Sequence, residues 1–166
     1  GINNVDYCEK FPNEASKINI QAIKEICKIT KEIGIKFVQL SSDSVFDGTK
    51  NLPYIETDDM KSINYYGKTK IESERIVLEN PNNCVVRASV LYGYLSDDLA
   101  KIESSSKKSI NFGQWLITKL ILGEKVRIIT DEYSSPIIAE DFARSIIHII
   151  KNNQTGIFHS APKLQI

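Results

Sequence analysis

Apolar residues recur along 13–33, "NEASKINIQAIKEICKITKEI", at Ala15, Ile18, Ala22, Ile26, Ile29 and Ile33. Spacings of three and four put them on one helical face, so a helix is expected, with Asn13 as N-cap and Gly34 as its stop. The next run, "IKFVQLS" at 35–41, is apolar without that period and follows the glycine, which predicts a buried strand. Positions 42–62 turn polar, with "FDGT" and "LPY" as turn signals. A helix is expected over 64–79, ending before "NPNN", and "CVVRASV", 84–90, is a second strand. A long polar segment with a serine and lysine run fills 92–109, and segments of that length in compact domains commonly carry function. The pattern closes with a helix over 111–122 stopped by Gly123, a strand at 126–130, a helix over 139–152 and a short strand at 156–160. In the 139–152 helix Phe142, Ile146 and Ile149 or Ile150 are expected to face inward.

Helices and strands alternate without internal repeat, which predicts an α/β fold around a mainly parallel sheet. Ligands in such folds bind beyond the carboxyl ends of the strands. Those ends are "SSDSVF", "RASVLYG" and "TDEYSSP", all rich in small and hydroxyl residues, and the site is expected there.

Composition narrows the function class. The 166 residues suffice for one domain with a core, and 21 Lys plus Arg balance 21 Asp plus Glu. That balance argues against a nucleic-acid binder, which carries a basic footprint. No apolar run approaches the ~20 residues that span a bilayer, and the start lacks a signal-peptide pattern. No membrane association and a reducing cytoplasm are therefore expected. Cys8, Cys27 and Cys84 have spacings that fit neither a disulfide framework nor a zinc site, and Cys27 and Cys84 are expected as buried thiols. His148 and His159 lack ligand spacing, so no metal is expected. The chain opens at Gly1 without an initiator Met and ends just after an apparent strand, the pattern of an internal fragment.

Candidate chemistry lies in "NYYGKTKIESERI", 64–76, where Tyr66 precedes Lys70 by one helical turn. Two readings stand: a proton-handling pair, or a packing aromatic beside a solvated lysine. A free phenol titrates near pH ~10. A neighbouring ammonium lowers that value toward the range useful for proton transfer. Ser41, Ser42 and Ser44, at the end of the preceding strand, could hold a substrate oxygen while the phenol exchanges its proton. Tyr65 pairs at the same spacing with Thr69, which carries no charge, so the chemistry favours Tyr66. The pair alone is close to a chance match; the strand ending in serines ahead of it gives it weight.

The stretch "VQLSSDSVFDGTKNLPYIETDDMKSINYYGKTKIESERIV", followed by "VVRASVLYG", resembles the extended short-chain dehydrogenase/reductases. Within them it is most similar to the dTDP-4-dehydrorhamnose reductase family. "NNVDYCEKFPNEASKIN", "NFGQWLITKLILGEKVRIITDEYSSPIIAEDFARSII" and "GIFH" extend the resemblance over nearly the whole chain. It implies part of a Rossmann-type doubly wound parallel sheet with part of a smaller substrate-binding domain. Residues 1–91 would be the C-terminal half of the NAD(P)-binding domain, and 92–166 a substrate-binding region interleaved with the last Rossmann elements. The implied reaction is hydride transfer from NADPH or NADH to the keto group of a nucleotide-linked deoxysugar.

By motif, Ser42 would bind the keto oxygen, Tyr66 would donate the proton, and Lys70 would lower the phenol pKa and hold the nicotinamide ribose. Ser41, Asn19, Ala88, Ser89 and Val90 fall at cofactor-side positions. Ser42, Asp43, Val45, Phe46, Asn111 and Asp131 fall at substrate-side positions. The family's Gly-rich dinucleotide turn and the end of its substrate domain have no counterpart in this chain. Ser44 stands where a Tyr is common and Val90 where a Trp is common, and "DEYSSPI" departs from the commoner "DQ…SPT" pattern. A nucleotide-sugar substrate is implied, and a homodimer is compatible with the resemblance. A non-catalytic regulatory subunit of the methionine adenosyltransferase type, and an NAD-dependent epimerase or dehydratase, are the competing readings.

Overall fold

The computed structural model describes residues 1–93, 112–131 and 133–162. A short helix comes first, α1 (Val5–Lys10), capped by the Asn4 side chain, which accepts from Tyr7 N at 2.9 Å. At six residues it is too short to show a helical period, so the apolar pattern does not announce it. The long helix expected over 13–33 is built in three consecutive parts: α2 (Pro12–Ser16), a π-helical turn (Lys17–Gln21) and α3 (Ala22–Glu32). It starts earlier than expected, with Phe11 and not Asn13 in the cap position. Proline lacks the N–H that a first helical turn leaves unpaired, and it takes the first position. Gly34 ends the path with φ +69°, where a side chain would be strained.

Three parallel strands form the main sheet in the order β1 (Val38–Ser42), β2 (Cys84–Ala88), β5 (Gly156–His159). Between β1 and β2 runs α4 (Tyr65–Leu78), the connecting helix of a βαβ unit. A two-stranded parallel ribbon pairs β3 (Leu91–Tyr92) with β4 (Ile137–Ile138). Two further helices are α5 (Phe112–Ile121) and α6 (Ala139–Lys151), the latter starting directly after β4. The parallel α/β arrangement is the expected one.

Every residue of β2 is buried, as a strand flanked on both edges should be. Cys84, Val86 and Ala88 pack with Ile137, Phe142 and Ile149. Ile150 is half exposed, so Ile149 is the inward residue. A second cluster joins Val45, Phe46 and Ile71, with Tyr54 and Met60 against it. Asn83, fully buried just ahead of β2, accepts from Phe37 N (2.9 Å), one residue before β1, and donates to Val77 O (3.0 Å) on α4.

Some expectations change. No strand forms at 126–130; Ile128 and Ile129 are exposed, and no neighbouring strand among the described residues offers them a ladder. Cys84 is buried, but Cys27 is only half-buried, because it lies on α3, which buries none of its residues. Residues 94–109 of the long polar segment, and Asn111, lie outside the described residues. Among the described residues there is no cluster of His, Cys, Asp or Glu suited to a metal, and no helix is long and apolar enough to cross a membrane.

Candidate functional site

The site forms where β1 ends. Its last residue, Ser42, opens a tight turn over Asp43–Val45: the Ser42 hydroxyl accepts from Ser44 N at 3.2 Å and donates to Asp43 Oδ1 at 3.0 Å. The parallel register sets Ser42 beside Ala88 at the end of β2. One residue on, the Ser89 hydroxyl donates to Asp43 Oδ2 at 2.6 Å, so Asp43 ties the two strand ends together.

Helix α4 brings in the phenol. Asn64 caps it by accepting from Gly67 N at 2.8 Å. Gly67 is buried, and a Cβ there would sit 2.0 Å from both Ser44 O and Ser62 Oγ. The missing side chain lets the first turn of α4 rest directly on the turn after β1, which brings Tyr66 and Ser42 to the lining of the same cavity. Ser41, Ser42, Ser44, Tyr66, Ala88 and Ser89 line one cavity of about 370 Å³; Asn3, Val5 and Leu91 complete it. The Ser41 hydroxyl is buried with no hydrogen-bond partner among the described groups.

Burial pushes the Tyr66 phenol above its ordinary value; the Ser42 hydroxyl pulls it partly back, and the Asp43 charge pushes it up again. Burial pushes the Lys70 ammonium below its ordinary value, against the attraction of Glu74. Lys70 Nζ donates to Leu40 O at 2.6 Å. In this structure the Lys70 ammonium is bonded to a β1 carbonyl, and desolvation is the largest influence on the phenol. At neutral pH the phenol keeps its proton, which suits a donor.

Of the remaining residues singled out in the sequence, Val45 is fully buried and Phe46 nearly so, both turned into the core cluster and not the cavity. Asn19 is buried behind the site, bonded to Ile2 and Thr69 and not to Lys70. Val90 is exposed, with its carbonyl accepting from Ile137 N at 2.9 Å. Asp131 is exposed and does not line the cavity. Asn3, Val5 and Leu91 were not foreseen; no residue-level signal marks them, because the chain's fold alone brings them to the strand ends.

Residues 2–166 match the RmlD substrate binding domain. The chain belongs to that family. This RmlD-family chain is 30% identical over 158 residues to a probable low-salt glycan biosynthesis reductase, Agl14, of Haloferax volcanii, covering 95% of the chain and 50% of the relative. It is 39% identical over 122 residues to the bovine methionine adenosyltransferase 2 subunit beta, covering 66% of the chain and 35% of that protein. Its fold superposes with a TM-score of 0.85 on a Bacillus anthracis dTDP-4-dehydrorhamnose reductase solved in complex with NADP, at 26% identity over 98% of the chain and 54% of that structure. The RmlD-family chain thus spans about half the length of the reductases it matches.

Proposed function

We propose that this chain carries the proton-donating half of an NADPH-dependent reductase that reduces the keto group of a nucleotide-linked deoxysugar, in deoxysugar or polysaccharide biosynthesis in the cytoplasm. The observation that carries the reading is that Tyr66, Ser42 and Ser44 line one cavity at the carboxyl ends of β1 and β2. The reductase relatives and the NADP-bound solved relative support it.

The cavity suits the nicotinamide end of such a cofactor. Ala88 and Ser89 in its lining are small enough for a flat ring to approach. When bound, the cofactor supplies the hydride. The Ser42 hydroxyl then orients the keto oxygen, and Tyr66 gives that oxygen its proton. Lys70, one turn further along α4, stabilises the phenolate left behind and holds the ribose. Asn19 and Val90 belong to the cofactor side of the proposal, and Asp43, Asn111 and Asp131 to the substrate side. The division into 1–91 and 92–166 is part of the same proposal, and β5 completing the sheet supports an interleaved second region.

Positioned general acids contribute about 10²–10⁴-fold in rate. In the intact protein containing this chain, Tyr66→Phe should lower NADPH oxidation with a dTDP-4-keto-6-deoxy sugar by about that factor, with the cofactor still bound. Undiminished turnover by the variant would sink the reading.

The 39% identity to a methionine adenosyltransferase beta subunit favours a second reading, a regulatory subunit of that type. Co-purification with a methionine adenosyltransferase catalytic subunit, without sugar-nucleotide turnover, would select it.

A further inference from the structure

A buried pair of side chains reaches Tyr66 from behind the cavity. Thr69 is 1% exposed, and its hydroxyl donates to Tyr66 O at 2.7 Å. Asn19, from the π-helical turn, donates to Thr69 Oγ1 at 3.0 Å. The rest of the Asn19 amide grips one residue in two places: Oδ1 accepts from Ile2 N at 2.7 Å, and Nδ2 donates to Ile2 O at 2.8 Å. Both amide protons and the carbonyl oxygen of Asn19 are thereby used, in a buried setting where an unmade bond is costly.

The two ends of this bridge are walls of the same cavity. Asn3 and Val5, just after the gripped Ile2, line it, and so does Tyr66. The helical ladder of α4 orders Tyr66 only relative to its own helix; the Thr69–Asn19 bridge references that turn to a different segment. None of these contacts involves Lys70, whose ammonium is bonded to Leu40 O. The bridge therefore acts on the Tyr66 turn without passing through the ammonium.

We propose that Thr69, held by Asn19, is the positioning residue for the Tyr66 phenol, fixing the first turn of α4 against the 1–5 wall of the cavity. The inference rests on reading Tyr66 as the proton donor. Proton transfer needs heavy atoms within about 2.6–3.2 Å, and a misplacement of about 1 Å costs up to about 10²-fold.

The test compares Thr69→Val, which keeps the shape and removes the hydroxyl, with Thr69→Ser, which restores it, in the intact protein. Thr69→Ala replaces the valine variant if that one does not fold. Two readouts are taken: steady-state reduction of a dTDP-4-keto-6-deoxy sugar by NADPH, and pH titration of the Tyr66 ring carbon by NMR without substrate, assigned with Tyr66→Phe.

Loss of one buried hydrogen bond predicts a kcat about tenfold lower per cofactor-binding site in Thr69→Val, with KM unchanged. The Tyr66 titration midpoint should move, and Thr69→Ser should restore both readouts. A role in stability alone would lower the yield of folded protein and leave kcat per site and the midpoint in place; that result overturns the proposal, as does a serine variant that restores neither. If the wild-type protein binds NADPH but reduces no sugar, the reductase reading falls. The titration then decides alone: a midpoint that moves with valine and returns with serine upholds the positioning role, and an unmoved one refutes it.

Discussion

Gly67 has no room for a side chain. A Cβ would meet Ser44 O and Ser62 Oγ at 2.0 Å, and the Ser44 atom is backbone in the turn that presents Ser42. Gly67→Ala must push α4 off that turn or strain it, at a cost of about 1–3 kcal/mol for overpacking. Lower thermal stability together with a displacement of the first turn of α4 from Ser44 in a crystal structure is the expected outcome; a variant as stable as wild type with α4 in place would contradict it. A second residue-scale device is the pair of Arg87, 3% exposed, and Glu74, fully buried, joined through Nε and Nη2 at 2.7–3.2 Å. Glu74→Gln leaves the guanidinium charge buried without its counter-ion, so a loss of about 3–5 kcal/mol is expected in denaturant unfolding. At this scale the sequence was partly legible. The serines and the Tyr–Lys spacing mark Ser42 and Tyr66 because their chemistry is local. Thr69, Asn83 and the Arg87–Glu74 pair read as ordinary residues until distant elements meet.

The segment between β1 and α4 is fastened to the far strand, β5, by a histidine that the sequence treats as unremarkable. Arg87 Nη1 lies 3.1 Å from His159 Nε2, and an arginine only donates, so Nε2 accepts and Nδ1 holds the proton, 3.2 Å from Tyr54 O. The backbone N of His159 also donates to Glu56 Oε1 at 2.8 Å. Only the neutral ring satisfies both contacts. Burial pushes the imidazole below its ordinary value; Glu56 and Glu74 pull it up, and Arg87 pushes it further down. The unfolded chain therefore binds more protons than the folded one below about pH 6.5. Stability is full above that value and falls as the pH drops through the window between the ordinary and the depressed pKa. The melting temperature of wild type should fall between pH 7.5 and 5.5, and His159→Gln should lose that part of the dependence; parallel curves would exclude His159 as the cause. Elements were most legible where the apolar period is pronounced, as in α3 and α6. The strand expected at 126–130 failed because an apolar run makes a strand only where a neighbour supplies hydrogen bonds.

The whole molecule has one side on which the apolar pattern is not satisfied. The stripe that identifies the long helix runs through Ile18, Ile26, Ile29 and Ile33, and all four are exposed. Beside it in the chain, β1 pairs with β2 alone among the described strands, and Leu40 on β1 is half exposed. An open strand edge and a bare apolar helix face are both adhesive in water. The relatives that this chain half-covers are about twice as long, so a longer protein has material with which to cover such a face. The 166-residue chain by itself should then bind an apolar dye such as ANS and associate with rising concentration in sedimentation velocity. Ile29→Lys on α3 with Ile33→Lys at its C-cap should reduce both effects without unfolding the chain, because neither residue is buried. Calorimetry on the same chain should detect no NADPH binding, since no Gly-rich turn at a helix N-terminus is present among the described residues to hold the pyrophosphate. A chain that stays monomeric at every concentration, ignores the dye and binds NADPH would show that the exposed face is tolerated as it stands and that the site functions without further cover.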